Sequence, residues 1–491
     1  MREWLEKFLA ISDSYNIIWK VIIWERDLIL MKNSAPKLRR SMTAGQMEMI
    51  SLGGAIGVGL FMGSTSTIKW TGPSVLLAYA FVGLILYIVK RALGEMIYIN
   101  PGTGSFADYA TEYVHPLAGY LAKWANVFEY IVVGMSEVVA ATEYLKFWWP
   151  HMHTWIAGIV IIIFLVLANL ASAKAYGSLE FWFAMIKVIT IIFMIFLGFM
   201  VILFGFGNGG HPIGFSNLWA HGGFFTGGIS GFFFSMSIIV GSYEGIELLG
   251  ISAGEVADPQ EAIIKSVKSV LFRILIFYVG AIFVIVTIYP WNKLSSVGSP
   301  FVSTFAKVGI TAAASIINFV VLTAALSGAN SGIYSSSRML FKLSHEGDAP
   351  KIFGRLSKRI VPDAAILGIS GGILIGFIID MISSIYNHST SDMFVVVFSS
   401  SVLPGMIPWF VILLAELRFR KNNPDLMTDH PFKLPLYPFS NYFAFIMLIV
   451  IVIFMFINPD TRISVIVGAV VLIVATIVYL IRHGLKRTTA E

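Results

Sequence analysis

The chain contains no cysteine. Disulfide frameworks, thiolate nucleophiles and cysteine-ligated metals are therefore excluded. Charge is nearly as scarce. Asp, Glu, Lys and Arg make up 13% of the 491 residues, against roughly 25% in an ordinary globular protein. So few charges cannot cover a soluble surface. The nine histidines all fall in predicted loops or near the ends of apolar stretches, which argues against a buried zinc site or a histidine proton relay. What fills the sequence is apolar: 57% hydrophobic residues and a mean hydropathy of +0.80. The solvent for such a chain is lipid. A cytosolic enzyme, a secreted disulfide scaffold and a disordered chain are all ruled out.

A spanning helix needs about 20 apolar residues. Twelve apolar stretches meet that need, at roughly 46–68, 74–98, 120–145, 154–173, 182–206, 224–252, 268–289, 310–340, 364–382, 392–417, 440–457 and 463–482. They are numbered here as spans 1 to 12. Helices are required, because each segment must satisfy its own backbone hydrogen bonds in hydrocarbon. A transmembrane barrel would show short alternating strands instead. With the N-terminus in the cytoplasm, the inside segments hold about 24 of the 34 Lys and Arg residues and the outside segments about 5. That bias puts both termini in the cytoplasm of a multi-pass protein of the cell membrane. Residues 1–30 fit poorly. Trp4, Leu5, Phe8 and Leu9 can line an interfacial amphipathic helix, or the segment is an upstream extension with Met31 as an alternative start.

Two spans carry glycine clusters. Span 1 has Gly53, Gly54, Gly57 and Gly59, and span 6 has Gly241 and Gly245 with Gly231 before and Gly250 after. Each glycine weakens a helix interior by about 1 kcal/mol relative to alanine. Gly53 and Gly57 also form a GxxxG pair, which close helix packing would explain. The spacing is not that of a dinucleotide loop, and no strand precedes it. Position favours interruption. The clusters open the first and sixth spans, so spans 1–5 (46–206) and spans 6–10 (224–417) form two five-helix units. Five is odd, so the second unit inserts inverted, as in secondary transporters. Spans 11 and 12 (440–482) are additional, between an N-terminal segment (1–45) and a cytoplasmic tail (483–491). A break at mid-membrane frees backbone groups that suit a zwitterion. Its carboxylate suits a half-helix N-terminus, and its ammonium suits the carbonyls at the other half-helix's C-terminus.

These residues are also familiar as a set. Gly53-Gly-Ala-Ile-Gly-Val-Gly-Leu-Phe61 is followed by Arg91-Ala-Leu-Gly-Glu-Met96, Pro101-Gly-Thr-Gly-Ser-Phe106, Tyr243-Glu-Gly-Ile-Glu247, Ala253-Gly-Glu255 with Asp258-Pro259, Asn330-Ser-Gly-Ile-Tyr-Ser-Ser-Ser-Arg338 and Ser344-His-Glu-Gly-Asp-Ala-Pro350. From about Met42 to the last span the chain resembles the bacterial amino acid permeases, the amino acid transporter family of the amino acid–polyamine–organocation superfamily. The resemblance implies a twelve-helix, all-α fold with a five-plus-five inverted repeat, and amino acid uptake driven by protons. The family's usual Gly-Glu-x-Glu-Phe-Trp reads Gly177-Ser-Leu-Glu-Phe-Trp182 here, one acidic residue short, in what reads as a cytoplasmic loop before span 5. After Asp258-Pro259 a second proline is usual, where this chain has Ile264. The extracellular stretch 206–219 resembles the branch that carries proline, threonine, histidine and similar substrates.

Ionisable residues within spans are functional candidates by default. Lys187 stands about six residues into span 5. It reads either as a snorkelling lysine or as a buried cation that exchanges a proton during the cycle. The resemblance supports the second, since permeases of the family carry a lysine at the matching place, where sodium-coupled relatives of the fold hold sodium. Glu129 and Glu137 share one face of span 3, eight residues apart. Glu244 and Glu247 lie at the span 6 break. Each glutamate reads equally well as a structural brace. Ser327, Asn330 and Ser331 form a polar strip on span 8 that reads first as ordinary small-residue packing and otherwise as a face turned to Lys187.

The expected mechanism is alternating access. Backbone around Ile56, Gly57, Val58 and Gly59 holds the carboxylate, and backbone around Gly241, Ser242 and Gly245 holds the ammonium. Tyr243 and Glu244 shape the pocket, and Lys187 couples the proton. Glu129, Glu137, Glu247, Ser327, Asn330 and Ser331 support it. The partners expected are a small-molecule amino acid, a proton and membrane lipid. No cofactor, metal, nucleic acid or obligatory protein partner is expected, and no enzymatic activity. An exchanger of the same fold is the competing reading. A channel would show a repeated filter or charged rings, and a lipid-acting enzyme a polar constellation at one membrane face; neither pattern is present in the sequence.

Overall fold

The computed structural model describes residues 56–100, 105–245, 259–294, 299–307, 311–386, 390–431 and 433–488. The N-terminal segment, the first half of span 1 and Glu247 lie outside them. The described residues are helical with no strand. The protein is an all-α polytopic membrane protein. Among the described residues, nine helices are long and apolar enough to cross a membrane, ten if the bent pair in span 7 is one span.

Span 1 is described from its second half, Val58–Phe61 and Gly63–Thr71, and span 2 is Val75–Ile99. Spans 3, 4 and 5 are Pro116–Lys146, Thr154–Ala171 and Ala173–Phe204. Span 6 is Gly228–Tyr243. Span 7 runs from Pro259–Arg273 through a π-turn at Ile274–Gly280 to Ala281–Ile288. Spans 8 to 12 are Thr311–His345, Asp363–Tyr386, Thr390–Asn422, Phe439–Ile457 and Pro459–Thr488.

Local signals fix several ends. Pro116 opens span 3, where its missing N–H costs nothing, and the His115 ring accepts from the Leu117 N–H at 3.1 Å. Ser172 caps span 5, its hydroxyl accepting from the Ala175 N–H at 3.0 Å. Span 5 therefore starts at Ala173, nine residues before the apolar stretch at 182. Hydropathy alone misses this, because the first turns of a membrane helix are polar where they pack on protein. The correction matters: Glu180 is not in a loop but on span 5, fully buried. Span 12 likewise continues as helix to Thr488, past the start of the expected tail.

Spans 3, 8 and 10 form the centre, with 72–78% of their apolar windows buried in protein, whereas spans 4, 5, 11 and 12 bury 17–33%. The outer spans present Ile159, Ile163, Leu167, Ile189, Phe196, Ile453 and Ile473 outward. Lipid accepts those side chains without penalty, so helix association rests on close packing and polar contacts. The inner spans carry both.

Candidate functional site

The described part of span 1 begins abruptly. Gly57 is extended (φ −123°, ψ −160°), and helix begins at Val58. Span 6 stops as sharply. Its last helical residue is Tyr243, Glu244 turns to ψ 150°, and Gly245 adopts φ 107°. That left-handed value is one a side chain would strain against. One segment thus begins, and the other ends, deep in the protein. The two meet in direct contact: a Cβ on Gly59 would lie 2.8 Å from the Ser242 Cα, so only glycine permits the crossing.

A narrow cavity lies at this crossing, with free space for about one water molecule. Gly57 and Gly59 of span 1 line it with Gly241, Ser242 and Glu244 of span 6. Span 3 adds Tyr130, Val133 and Glu137; span 8 adds Gly328; span 10 adds Phe398. Electrostatically the site is two-ended. The Val58 N–H beside it has no helical acceptor, at the positive start of a helical segment, and span 6 turns its negative end toward it. In this structure the Glu137 carboxylate accepts from the Val58 N–H at 3.1 and 3.3 Å. It is seated between Gly57 and Gly328, where a Cβ on either would come within 2.3 Å of Glu137 Oε1. The Val58 amide therefore holds a carboxylate, the same chemistry as one end of a zwitterion. The Glu244 carboxylate packs on Gly405 of span 10, where a Cβ would lie 2.1 Å from it.

Behind span 1 lies Lys187. Its side chain is fully buried, which removes the snorkelling reading. The Nζ donates to the Ile56 carbonyl at 3.1 Å and to Ser327 Oγ at 2.8 Å. A cation thereby ties span 5 to the span 1 break and to span 8. The Ser327 hydroxyl donates to Glu180, and Asn330 Nδ2 reaches the other Glu180 oxygen at 3.4 Å. Asn169 of span 4 donates to Asn330 Oδ1 at 2.8 Å, and Tyr176 OH to Ser331 Oγ at 3.1 Å.

The remaining sequence candidates lie apart from the cavity. Ile56 contributes its carbonyl to Lys187. Tyr243 turns away, its hydroxyl on the Tyr79 carbonyl at 3.0 Å and its ring 4.4 Å from that of Tyr278. Tyr278 in turn donates to the Ser242 carbonyl at 3.2 Å, so that span 6 carbonyl already has a donor. Glu129 meets Asn126 Nδ2 at 3.4 Å, and neither residue lines the cavity. Sequence reasoning did not single out Tyr130, Val133, Gly328 or Phe398. Phe398 is one of 39 phenylalanines, and no local pattern separates it from those facing lipid. Glu180 did carry a signal, as an acidic residue retained in a motif that had lost its other one.

The cavity thus lies where one helix begins and another ends, with a buried lysine behind it. The family model for amino acid permeases matches residues 46–489. The chain belongs to the amino acid permease family. Like other members it is a multi-pass membrane protein, and its curated relatives are transporters. It is 53% identical over 455 residues to the probable threonine/serine transporter YbxG of Bacillus subtilis, covering 93% of this chain and 97% of that one. It is 38% identical to the amino-acid permease AapA of the same organism, over 92% of this chain and 96% of AapA. It is 40% identical to the D-serine/D-alanine/glycine transporter of Escherichia coli K12, over 87% of this chain and 90% of that protein.

Proposed function

We propose that this permease imports a small neutral α-amino acid by proton symport with alternating access, with serine, threonine, alanine and glycine as the substrate class. The observation that carries the reading is the Lys187 ammonium bound to the Ile56 carbonyl at the span 1 break. A titratable cation there links the proton to the backbone that holds substrate. The substrate carboxylate takes the Val58 N–H in place of Glu137, and the ammonium sits at the end of span 6 near Glu244. The size class follows from Phe398, whose ring would lie 2.8 Å from a Cβ on Gly59 or on Gly241. A ring this close to both glycines opposes a bulky side chain. The names of the relatives point to the same class.

The test is uptake of labelled serine into proteoliposomes under an inward proton gradient. One pH unit is worth about 1.4 kcal/mol and 100 mV about 2.3 kcal/mol. For one proton these sum to about 3.7 kcal/mol, an accumulation ceiling of about 500-fold, since each 1.4 kcal/mol is tenfold. Concentration well above equilibrium with empty vesicles supports symport. Uptake that requires unlabelled amino acid inside replaces symport with exchange. A competition panel of all twenty amino acids against labelled serine tests the substrate class; preference for large or charged side chains overturns it.

A further inference from the structure

The symport reading needs an inward route for the proton that Lys187 holds, and the buried groups beneath that residue form one. We propose that Glu180 is the proton acceptor for Lys187, reached through the Ser327 hydroxyl, and that it hands the proton on toward the cytoplasm. The proposal rests on the symport reading and adds a residue to it.

Three observations converge. The first is donor direction. Lys187 Nζ donates to Ser327 Oγ at 2.8 Å, and the Ser327 hydroxyl donates to Glu180 Oε1. Both bonds point the same way, as a relay requires. The second is enclosure. Lys187, Ser327 and Glu180 are each fully buried, and the serine hydroxyl is hydrogen-bonded to both of the others. The third is depth. Glu180 precedes Lys187 by seven residues on span 5, about 10 Å along the axis at 1.5 Å per residue. It precedes it toward the helix start, the end that the lysine and arginine bias assigns to the cytoplasm. Ala175, five residues further on, is exposed there.

The step balances. An N–H bond of the Lys187 ammonium breaks and its proton bonds to Ser327 Oγ. The proton already on Ser327 passes to Glu180 Oε1. Lys187 is left as a neutral amine and Glu180 as a neutral acid, and rotation of the serine hydroxyl restores the donor direction. Asn330, held by Asn169, keeps the second Glu180 oxygen in place. Among the described residues, Glu137 of span 3 also acts electrostatically on Lys187. Once neutral, Lys187 holds the Ile56 carbonyl through an ordinary rather than a charge-assisted bond, roughly half as strong. The span 1 break is then freer to move, so proton release and opening are linked.

The experiment uses full-length protein in proteoliposomes with labelled serine outside and a pH-reporting dye inside. Wild type, Glu180→Gln, Ser327→Ala and Glu180→Asp are compared for gradient-driven accumulation, serine-induced acidification and exchange of labelled for unlabelled serine. Glu180→Gln keeps an acceptor for the Ser327 hydroxyl but cannot take a proton. It and Ser327→Ala should lose accumulation above equilibrium and lose acidification while exchange continues, and Glu180→Asp should recover part of both. Wild-type accumulation and acidification in Glu180→Gln overturn the relay and leave symport standing. Parallel loss of exchange in both variants overturns it in favour of a structural role. A wild type without serine-induced acidification overturns symport and the relay together.

Discussion

The crossing of spans 1 and 6 makes Gly59→Ala the most direct perturbation of the site. The new Cβ would stand 2.8 Å from Phe398 Cζ, from the Ser242 Cα and from Ser242 Oγ. The phenylalanine ring can shift, but Ser242 Cα is backbone. Reaching ordinary carbon contact, about 3.5–4.0 Å, requires the two segments to separate by roughly 0.7–1.2 Å. Overpacking of this kind costs about 1–3 kcal/mol, and here it falls on the wall of the cavity. A loss of about 1–3 kcal/mol in binding is roughly 5- to 150-fold in affinity. The assay is equilibrium binding of labelled serine to purified protein, read beside a thermal melt. The control is Gly371→Ala on span 9, where a Cβ has nothing within 4 Å. That variant should bind as wild type and gain about 0.5–1 kcal/mol of helix stability. Unchanged serine binding in Gly59→Ala, or equal losses in the two variants, refutes the placement of the site.

Gly57→Leu should abolish serine binding while the protein still inserts in the membrane, because even a Cβ there would meet Glu137 Oε1 at 2.3 Å; normal uptake would remove Gly57 from the site. Lys187→Ala should reduce gradient-driven accumulation from its ceiling of about 500-fold to equilibration, measured in the same vesicles; proton-driven accumulation equal to wild type would clear Lys187 of coupling. Arg420→Ala tests the ion-pair brace between spans 2 and 10. Arg420 pairs with Glu95 at 2.5 Å and Glu416 at 2.6 Å, both side chains fully buried. Leaving two buried carboxylates without their cation should cost about 3–5 kcal/mol, read as a lower melting temperature, and a melt matching wild type would show that the pair is dispensable.

The sequence by itself determined the solvent, the helical class and the glycines near the two helix ends that meet at the cavity. Those follow from composition and from glycine, whose lack of a side chain acts locally wherever it stands. It also marked Lys187, because a charge in an apolar run is costly in any fold. It misplaced the start of span 5, since a helix end packed on protein carries polar residues that hydropathy reads as loop, and Glu180 was assigned to the surface for that reason. Only tertiary structure could select Phe398, Tyr130, Val133 and Gly328, or put the Glu137 carboxylate on the Val58 amide across 79 positions of chain. Which faces of spans 3, 8 and 10 turn inward depends on what packs around them. In lipid, the apolar pattern that orients a helix in water carries little information, so side-chain direction within the bundle was set by packing and by buried polar partners.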